Sequence, residues 1–196
     1  MKDGKKITAS REESTSYMNQ TLPMRESFDL IQRDLMIGER MASFYFINGL
    51  NKDDDMLKLM DALLKIKKED MPAGILQFME MAIPYTEVEL IEDFDQVLKN
   101  LFSGVTCLFV DGYEGAIAID CRTYPARSVE EPDKDKSLRG SRDGFVETVV
   151  SNTAMIRRRI RSEHLVMEMQ EVGDSSRTDI AICYMKDRVN KEILCD

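Results

Sequence analysis

The densest functional chemistry in the sequence is a run of four arginines, Arg157, Arg158, Arg159 and Arg161. A guanidinium is planar, permanently charged and shaped to meet carboxylate or phosphate oxygens. On a helical wheel Arg157, Arg158 and Arg161 lie to one side of an Ile156/Ile160 stripe, and Arg159 lies on the other. The simpler reading is a solvated cationic helix end paired with some of the chain's surplus acids. The sharper one is contact with anionic lipid headgroups or an acidic partner surface. Upstream, Gly140-Ser141-Arg142-Asp143-Gly144 enters the same helix. It matches neither G-x-x-x-x-G-K-[ST] nor G-x-G-x-x-G, and it does not directly follow a strand. Helix capping by Asp143 is the reading adopted, with anion capture by Arg142 and free N–H groups left open. Arg127 and Arg142 lie on a connecting stretch, where a ligand held between two lobes would meet them.

No catalytic set assembles from the remaining residues. Asp111, Glu114 and Asp120 crowd one hairpin and could hold a hard cation or work as paired carboxylates. Asp-Gly and Glu-Gly are also what tight turns use, and no histidine joins them, so turn chemistry is the better account. His164 is the one histidine; it excludes multi-histidine metal sites and is read as structural, at a strand entrance. Ser27, Ser141 and Ser151 have no nucleophile context. Cys107, Cys121, Cys183 and Cys195 form no C-x-x-C and read as reduced thiols of a cytosol-like compartment. With no nucleophile, base and orienter in view, the residues describe a binding or interaction module with no cofactor and no metal site.

Composition bounds the class further. The 196 residues carry a net charge of −9, which lacks the basic footprint needed to hold nucleic acid. With 43% apolar and 32% charged residues, the chain builds a core and is not disordered. The longest uncharged run, Met41–Asn51, falls far short of the about 20 residues of a membrane span, and Met1–Arg11 has no apolar signal region. The chain by itself is expected to be soluble.

The elements that must position these residues follow from periodicity. Residues 1–26 are polar without apolar period and read as a flexible lead-in. Leu30–Ile37 and Met41–Ile47 form a hairpin across Gly38-Glu39-Arg40. Helical stripes follow at Asp53–Lys67 and at Met71–Ile83, the latter admitted by Pro72. Tyr85–Leu90 alternates as a strand. Glu92–Ser103 is a helix closed by Gly104. Val105–Val110, apolar throughout, is a strand buried on both faces, paired with Ala116–Asp120. Cys121–Arg142 breaks the pattern. Asp143 then opens a helix to about Arg161 with the stripe Phe145, Val149, Thr153, Ile156 and Ile160, and Leu165–Val172 and Asp179–Met185 are strands. The fold class is α/β, with α+β as a variant: two lobes of mixed sheets covered by helices. The lobes span 27–122 and 143–196, joined by 123–142, and the second lacks its later helices.

An internal echo supports two lobes. Leu30, Ile31, Ile37 and Gly38 correspond to Leu165, Val166, Val172 and Gly173 at an offset of 135. After an insertion of four residues in the turn, Tyr45…Asn51-Lys52-Asp53 corresponds to Tyr184…Asn190-Lys191-Glu192. The missing helices of the second unit are expected in sequence beyond Asp196.

Six motifs in order resemble a known family. They are F-Y-F-I-N-G-L (44–50), F-V-D-G-Y-E-G-A (109–116), R-S-V-E-E-P (127–132), R-G-S-R-D-G-F-V-E (139–147), N-T-A-M-I-R-R-R-I (152–160) and T-D-I-A-I-C-Y (178–184). Together they resemble the soluble N-terminal region of the A subunit of GerA-family spore germinant receptors over residues 27–196. The family more often has Asp at the position of Asn48 and proline at that of Ser141. The resemblance implies a place in the inner membrane of endospores through later membrane helices, and the lack of a signal region agrees with this domain on the cytoplasmic side. It implies sibling A, B and C subunits as partners and a small nutrient as germinant. It transfers no catalytic residue. Two functions follow as expectations: a transducing and assembly domain, with contacts at Arg142, Asp143, Arg157, Arg158 and Arg161, or a module that itself captures the germinant, with Arg127 and Arg142 as ligand contacts. An unrecognised enzyme is the remote third.

Overall fold

Ser10 opens the first helix, α1 (Arg11–Thr21), by accepting a hydrogen bond from the Glu13 amide at 3.2 Å. The structure, a computed structural model, describes residues 4–84, 87–124 and 144–194. α1 lies where a flexible lead-in is expected from the sequence. It is polar except for Met18, which is fully buried, and Tyr17, whose ring packs on Phe94 at 4.1 Å; it also buries Ser14 and Thr15. Their hydroxyls donate to the carbonyls of Ser10 and Glu12 within the helix, so they enter the interior without losing a bond. An apolar period has too few residues in which to appear, and that is why the helix is invisible to it.

β1 (Leu30–Ile37) and β2 (Arg40–Ile47) form the expected hairpin. Gly38 and Glu39 both take positive φ, 52° and 65°, the twist that two-residue hairpin turns require. α2 (Asp53–Leu64) follows, then α3 (Ile75–Ala82), β3 (Val88–Ile91), α4 (Phe94–Phe102), β4 (Thr106–Val110) and β5 (Ala116–Ile119). This is the expected order after α1. α3 begins later than Pro72 suggests, because the Pro72 carbonyl accepts the Tyr113 hydroxyl at 2.5 Å and holds that stretch extended. The sheet order is β1-β2-β4-β5-β3. Every ladder is antiparallel, which corrects the expectation of mixed sheets. The crossover through α2 and α3 carries the chain past the places later filled by β4 and β5, so no two neighbours share a direction. β4 is buried at every residue, as expected.

Each face of this sheet has its own core. On one, α1 and α4 bring Met18, Phe94, Val97 and Leu101 onto Tyr45 and Phe109. On the other, α2 and α3 bring Leu59, Leu63 and Phe78 onto Phe44, Ile117 and Ile119. Apolar burial on two faces is the main stabilising term of such a layered fold.

α5 (Val149–Arg159), β6 (Leu165–Val172), β7 (Thr178–Met185) and the short α6 (Lys191–Leu194) make the second unit, with β6 and β7 as a separate antiparallel sheet. The helix expected from Asp143 starts at Val149; Asp143 lies outside the described residues. Its buried face is Thr153, Ala154 and Arg157, and the expected stripe fails at its ends, where Phe145 is 66% and Ile160 40% exposed. Gly49 permits the close approach of α5: a Cβ there would stand 3.0 Å from both Ala154 and Val150 side chains, and its φ is +82°. Among the described residues no helix is long and apolar enough to cross a membrane.

The echo between hairpins survives in space with one correction. β1 and β6 share the 135-residue offset at both ends. Tyr45 pairs with Gln32, however, whereas Tyr184 pairs with Val166 and not with Met167. The turn over residues 173–177 is one residue shorter than the sequence match implies, and a one-residue slip moves a strand's side chains to the other face.

Candidate functional site

Three segments converge where the second unit meets the first. Asp29, just before β1, is fully buried, and so is Arg157 on α5. The Arg157 Nε donates to Asp29 Oδ2 at 2.6 Å and Nη2 to Oδ1 at 3.0 Å, a two-pronged pair. The rest of the fork donates to the carbonyls of Ser162 and Leu165, each at 3.0 Å. Ser27 Oγ donates to Asp29 at 2.6 Å and accepts the Met167 amide of β6 at 2.9 Å. The Phe28 amide donates to the Met167 carbonyl at 2.9 Å. Phe102 of α4 lies under the guanidinium, 5.6 Å from ring centre to Cζ. Among the described residues no buried side-chain polar atom lacks a partner, so the junction is satisfied throughout. Burial raises the pKa of the nearby Cys183 thiol, and the Asp29 carboxylate adds to that effect against Arg157.

The arginine cluster is thus split. Arg157 points inward, so the expectation of one cationic surface shared by Arg157, Arg158 and Arg161 is corrected. The cause is the rotation of α5: the core takes Ala154 and Arg157 instead of Ile156 and Ile160. Arg158 and Arg161 are exposed. Arg158 stacks over the Tyr124 ring at 4.1 Å, and the Arg161 Nε donates to the Arg158 carbonyl at 3.2 Å. Tyr124 is itself fixed, its hydroxyl donating to the Ser103 carbonyl at 3.1 Å and accepting from Arg122 at 3.3 Å. Arg127, Arg142 and Asp143 lie outside the described residues.

Two carboxylates of the acidic hairpin are taken up by hydrogen bonds within the protein. Asp111 accepts the Arg11 amide at 3.2 Å, and Asp120 pairs with Arg122, whose Nε donates at 2.7 Å. The Arg122 guanidinium holds the Asp120 carboxyl below the usual carboxylate range, against the opposing effect of burial. A depressed native pKa gives stability that is present above the unfolded-state value of about 3.9 and lost as pH falls through the native one. Asp120→Asn should therefore lower the melting temperature at pH 7, and the gap from the parent should narrow as the pH falls below the usual carboxylate range. Thermal unfolding of both proteins as a function of pH measures it; a gap that stays the same size down the acid range would refute the pairing. Cys107, fully buried, has its thiol pKa pushed up to about 12 by burial alone, so it is inert at neutral pH.

Beside the junction lies an open cleft of about 880 Å³ between the end of α1, the start of β1 and the base of β6–β7. Gln20, Arg25, Gln32 and His164 line it, and the Glu26–Lys186 ion pair, 2.5 Å, joins its two sides. Asp29 and Ser27 escape sequence reasoning. Their signal is a carboxylate inside S-F-D-L-I, where an apolar strand begins, answered by an arginine at the i+3/i+4 spacing of Val150, Thr153 and Ala154.

Comparison with known proteins agrees with this architecture. A family model described as Bacillus/Clostridium GerA spore germination protein matches residues 16–196. The chain is 38% identical over 180 residues to stage V sporulation protein AF of Bacillus subtilis strain 168, which is 91% of this chain and 36% of that protein. It is 30% identical over 172 residues to spore germination protein KA of the same bacterium, 86% of this chain and 32% of that one. Among solved structures, the N-terminal domain of the A subunit of the Bacillus megaterium spore germinant receptor GerK3 matches with a TM-score of 0.71 at 20% identity, over 99% of this chain and 71% of that chain. At that identity the likeness is one of fold. The chain spans about a third of the length of the curated relatives it matches. Ordered motifs, a matching fold and a family model over nearly the whole length converge: this chain belongs to the GerA family of spore germination proteins.

Proposed function

We propose that this chain is the N-terminal part of a spore germinant receptor A subunit, and that it works by transduction and assembly and not by catalysis. The observation that carries the reading is the buried Arg157–Asp29–Ser27 junction. It ties α5 and β6 to the margin of the five-stranded sheet, so a displacement of the second unit is delivered to the first. Outside it, Arg158 and Arg161 present charge to a neighbour: a sibling A subunit, or the B or C subunit of the receptor. In this reading the full-length subunit sits in the inner membrane of the spore, with this domain on the cytoplasmic side.

The test is charge reversal at the outer pair. Arg158→Glu with Arg161→Glu in the full-length subunit should leave the melting temperature of the isolated domain within about 4 °C of the parent, since losing the exposed Arg158–Tyr124 stack costs about 0.5–1 kcal/mol. Receptor level in spores and nutrient-triggered germination should both fall. Normal receptor level and normal germination in that variant would reject the contact.

The cleft beside the Glu26–Lys186 pair supports a second reading, direct capture of a small nutrient between the units. Calorimetry with amino acids, sugars and nucleosides separates the two. Saturable heat abolished by Gln32→Ala or His164→Ala favours capture, and silence across the panel favours transduction.

A further inference from the structure

The two helical layers over the five-stranded sheet differ on their outer sides. α1 and α4 expose no large apolar side chain, whereas α2 and α3 expose Leu57 by 68%, Leu64 by 59%, Leu76 by 60% and Met81 by 66%. α2 seats itself on the sheet through Met56, Leu59 and Leu63. Its outward stripe, at spacings of three, four and three, is Asp54, Leu57, Asp61 and Leu64, and all four are exposed. Two leucines seven residues apart on the solvent side of an amphipathic helix add nothing to the packing of their own domain. The charges around them divide by end. Asp55 meets Lys52 and Lys58, Asp61 meets Lys65, and Lys68 meets Glu39. Asp53 and Asp54 at the start of α2, and Lys67 just past its end, have no ion pair among the described residues.

We infer that the outer face of α2 is a contact between two copies of this chain, α2 lying antiparallel on α2 across a two-fold axis near Asp61. A two-fold contact needs a patch that complements itself, and this one does. When Leu57 of one copy faces Leu64 of the other, the same count brings Asp54 opposite Lys67, so the unpaired charges of each copy answer those of its partner. Asp61, at the centre, is already neutralised by its own Lys65 at 2.6 Å. The arrangement also sets the positive start of each helix against the negative end of the other. An anionic lipid surface is a poor occupant of this face, since residues 53–82 hold seven acids against four lysines. A helix of 12 residues is about 18 Å long, so the contact is smaller than a standard interface and weak between free chains. It gains strength where copies are held close together. The inference does not rest on the role proposed for Arg158 and Arg161.

Disulfide trapping tests it in the 196-residue chain carrying Cys183→Ala and Cys195→Ala, which leaves the buried Cys107 and Cys121 in place. Asp61→Cys should give a linked dimer at least about tenfold faster than Glu89→Cys, an exposed control on β3, because seating makes the reaction intramolecular. Leu57→Cys and Leu64→Cys should each link to themselves slowly and to one another fast when the two proteins are mixed. In the antiparallel register each stands about 10 Å along the axis from its own copy, out of disulfide reach. Asp54→Lys should abolish the fast trapping of Asp61→Cys, and adding Lys67→Asp should restore it. A helix merely frayed by the first change would not be repaired by the second. Equal rates at all four positions would overturn the inference. So would self-linking at 57 or 64 as fast as at 61, and so would failure of the second charge change to restore trapping.

Discussion

Arg157→Ala and Asp29→Ala should each destabilise the protein by about 3–5 kcal/mol, because either one leaves the opposite charge sealed in the interior without its partner. For a chain of this length that is a fall in melting temperature of roughly 6–20 °C. Arg157→Ala combined with Asp29→Ala should cost clearly less than the two single losses added together, since the stranded charge is gone. Thermal unfolding of the three variants closes the cycle. Additive losses, or single losses within about 1 kcal/mol of the parent, would mean that the pair is not the joint described above. The same geometry shows why charge reversal at Arg157 is the wrong probe of partner contacts: Arg157→Glu would place two carboxylates side by side in the core, and the chain would fail to fold before any contact was tested.

The second large effect concerns α1. Met18→Ala should cost about 2–5 kcal/mol, the usual price of emptying a fully buried methionine site, and Ser10→Ala about 1 kcal/mol through loss of the cap. Deletion of residues 1–22 should strip the cover from Tyr45, Phe94 and Phe109 and yield a protein that binds a hydrophobic dye and aggregates. A flexible lead-in would give the opposite outcome, a truncated chain with unchanged melting temperature and no dye binding. Denaturant unfolding of Met18→Ala with dye binding of the truncated chain decides between them.

These predictions mark where the sequence is informative and where it is not. Strong apolar periods read correctly: the stripe Phe94, Val97, Leu101 and Phe102 is the buried face of α4, and the unbroken apolar run of β4 is buried throughout. Periodicity fails where polar groups occupy the interior. α1 offers one methionine, a neighbouring tyrosine and two satisfied hydroxyls, too few apolar residues to set a period. On α5 the buried face holds an arginine, and a wheel that assigns arginine to solvent rotates the helix by the wrong amount. Asp29 goes unrecognised for the same reason, since its partner lies more than a hundred residues away and neither residue explains the other alone. Register is lost at the second hairpin because a turn's length cannot be counted from strands that imitate each other. The motifs that carry the family likeness include Gly49 and Arg157, two of the positions where α5 meets the first unit.

A charge pair shut away from solvent responds differently to electrolyte than pairs at the rim. Dissolved ions shield Glu26–Lys186 and Lys6–Glu92, whose side chains stand in water, and they reach the interior pair far less. In brine the outer fastenings loosen while the inner one keeps its strength, so this molecule is held together from within.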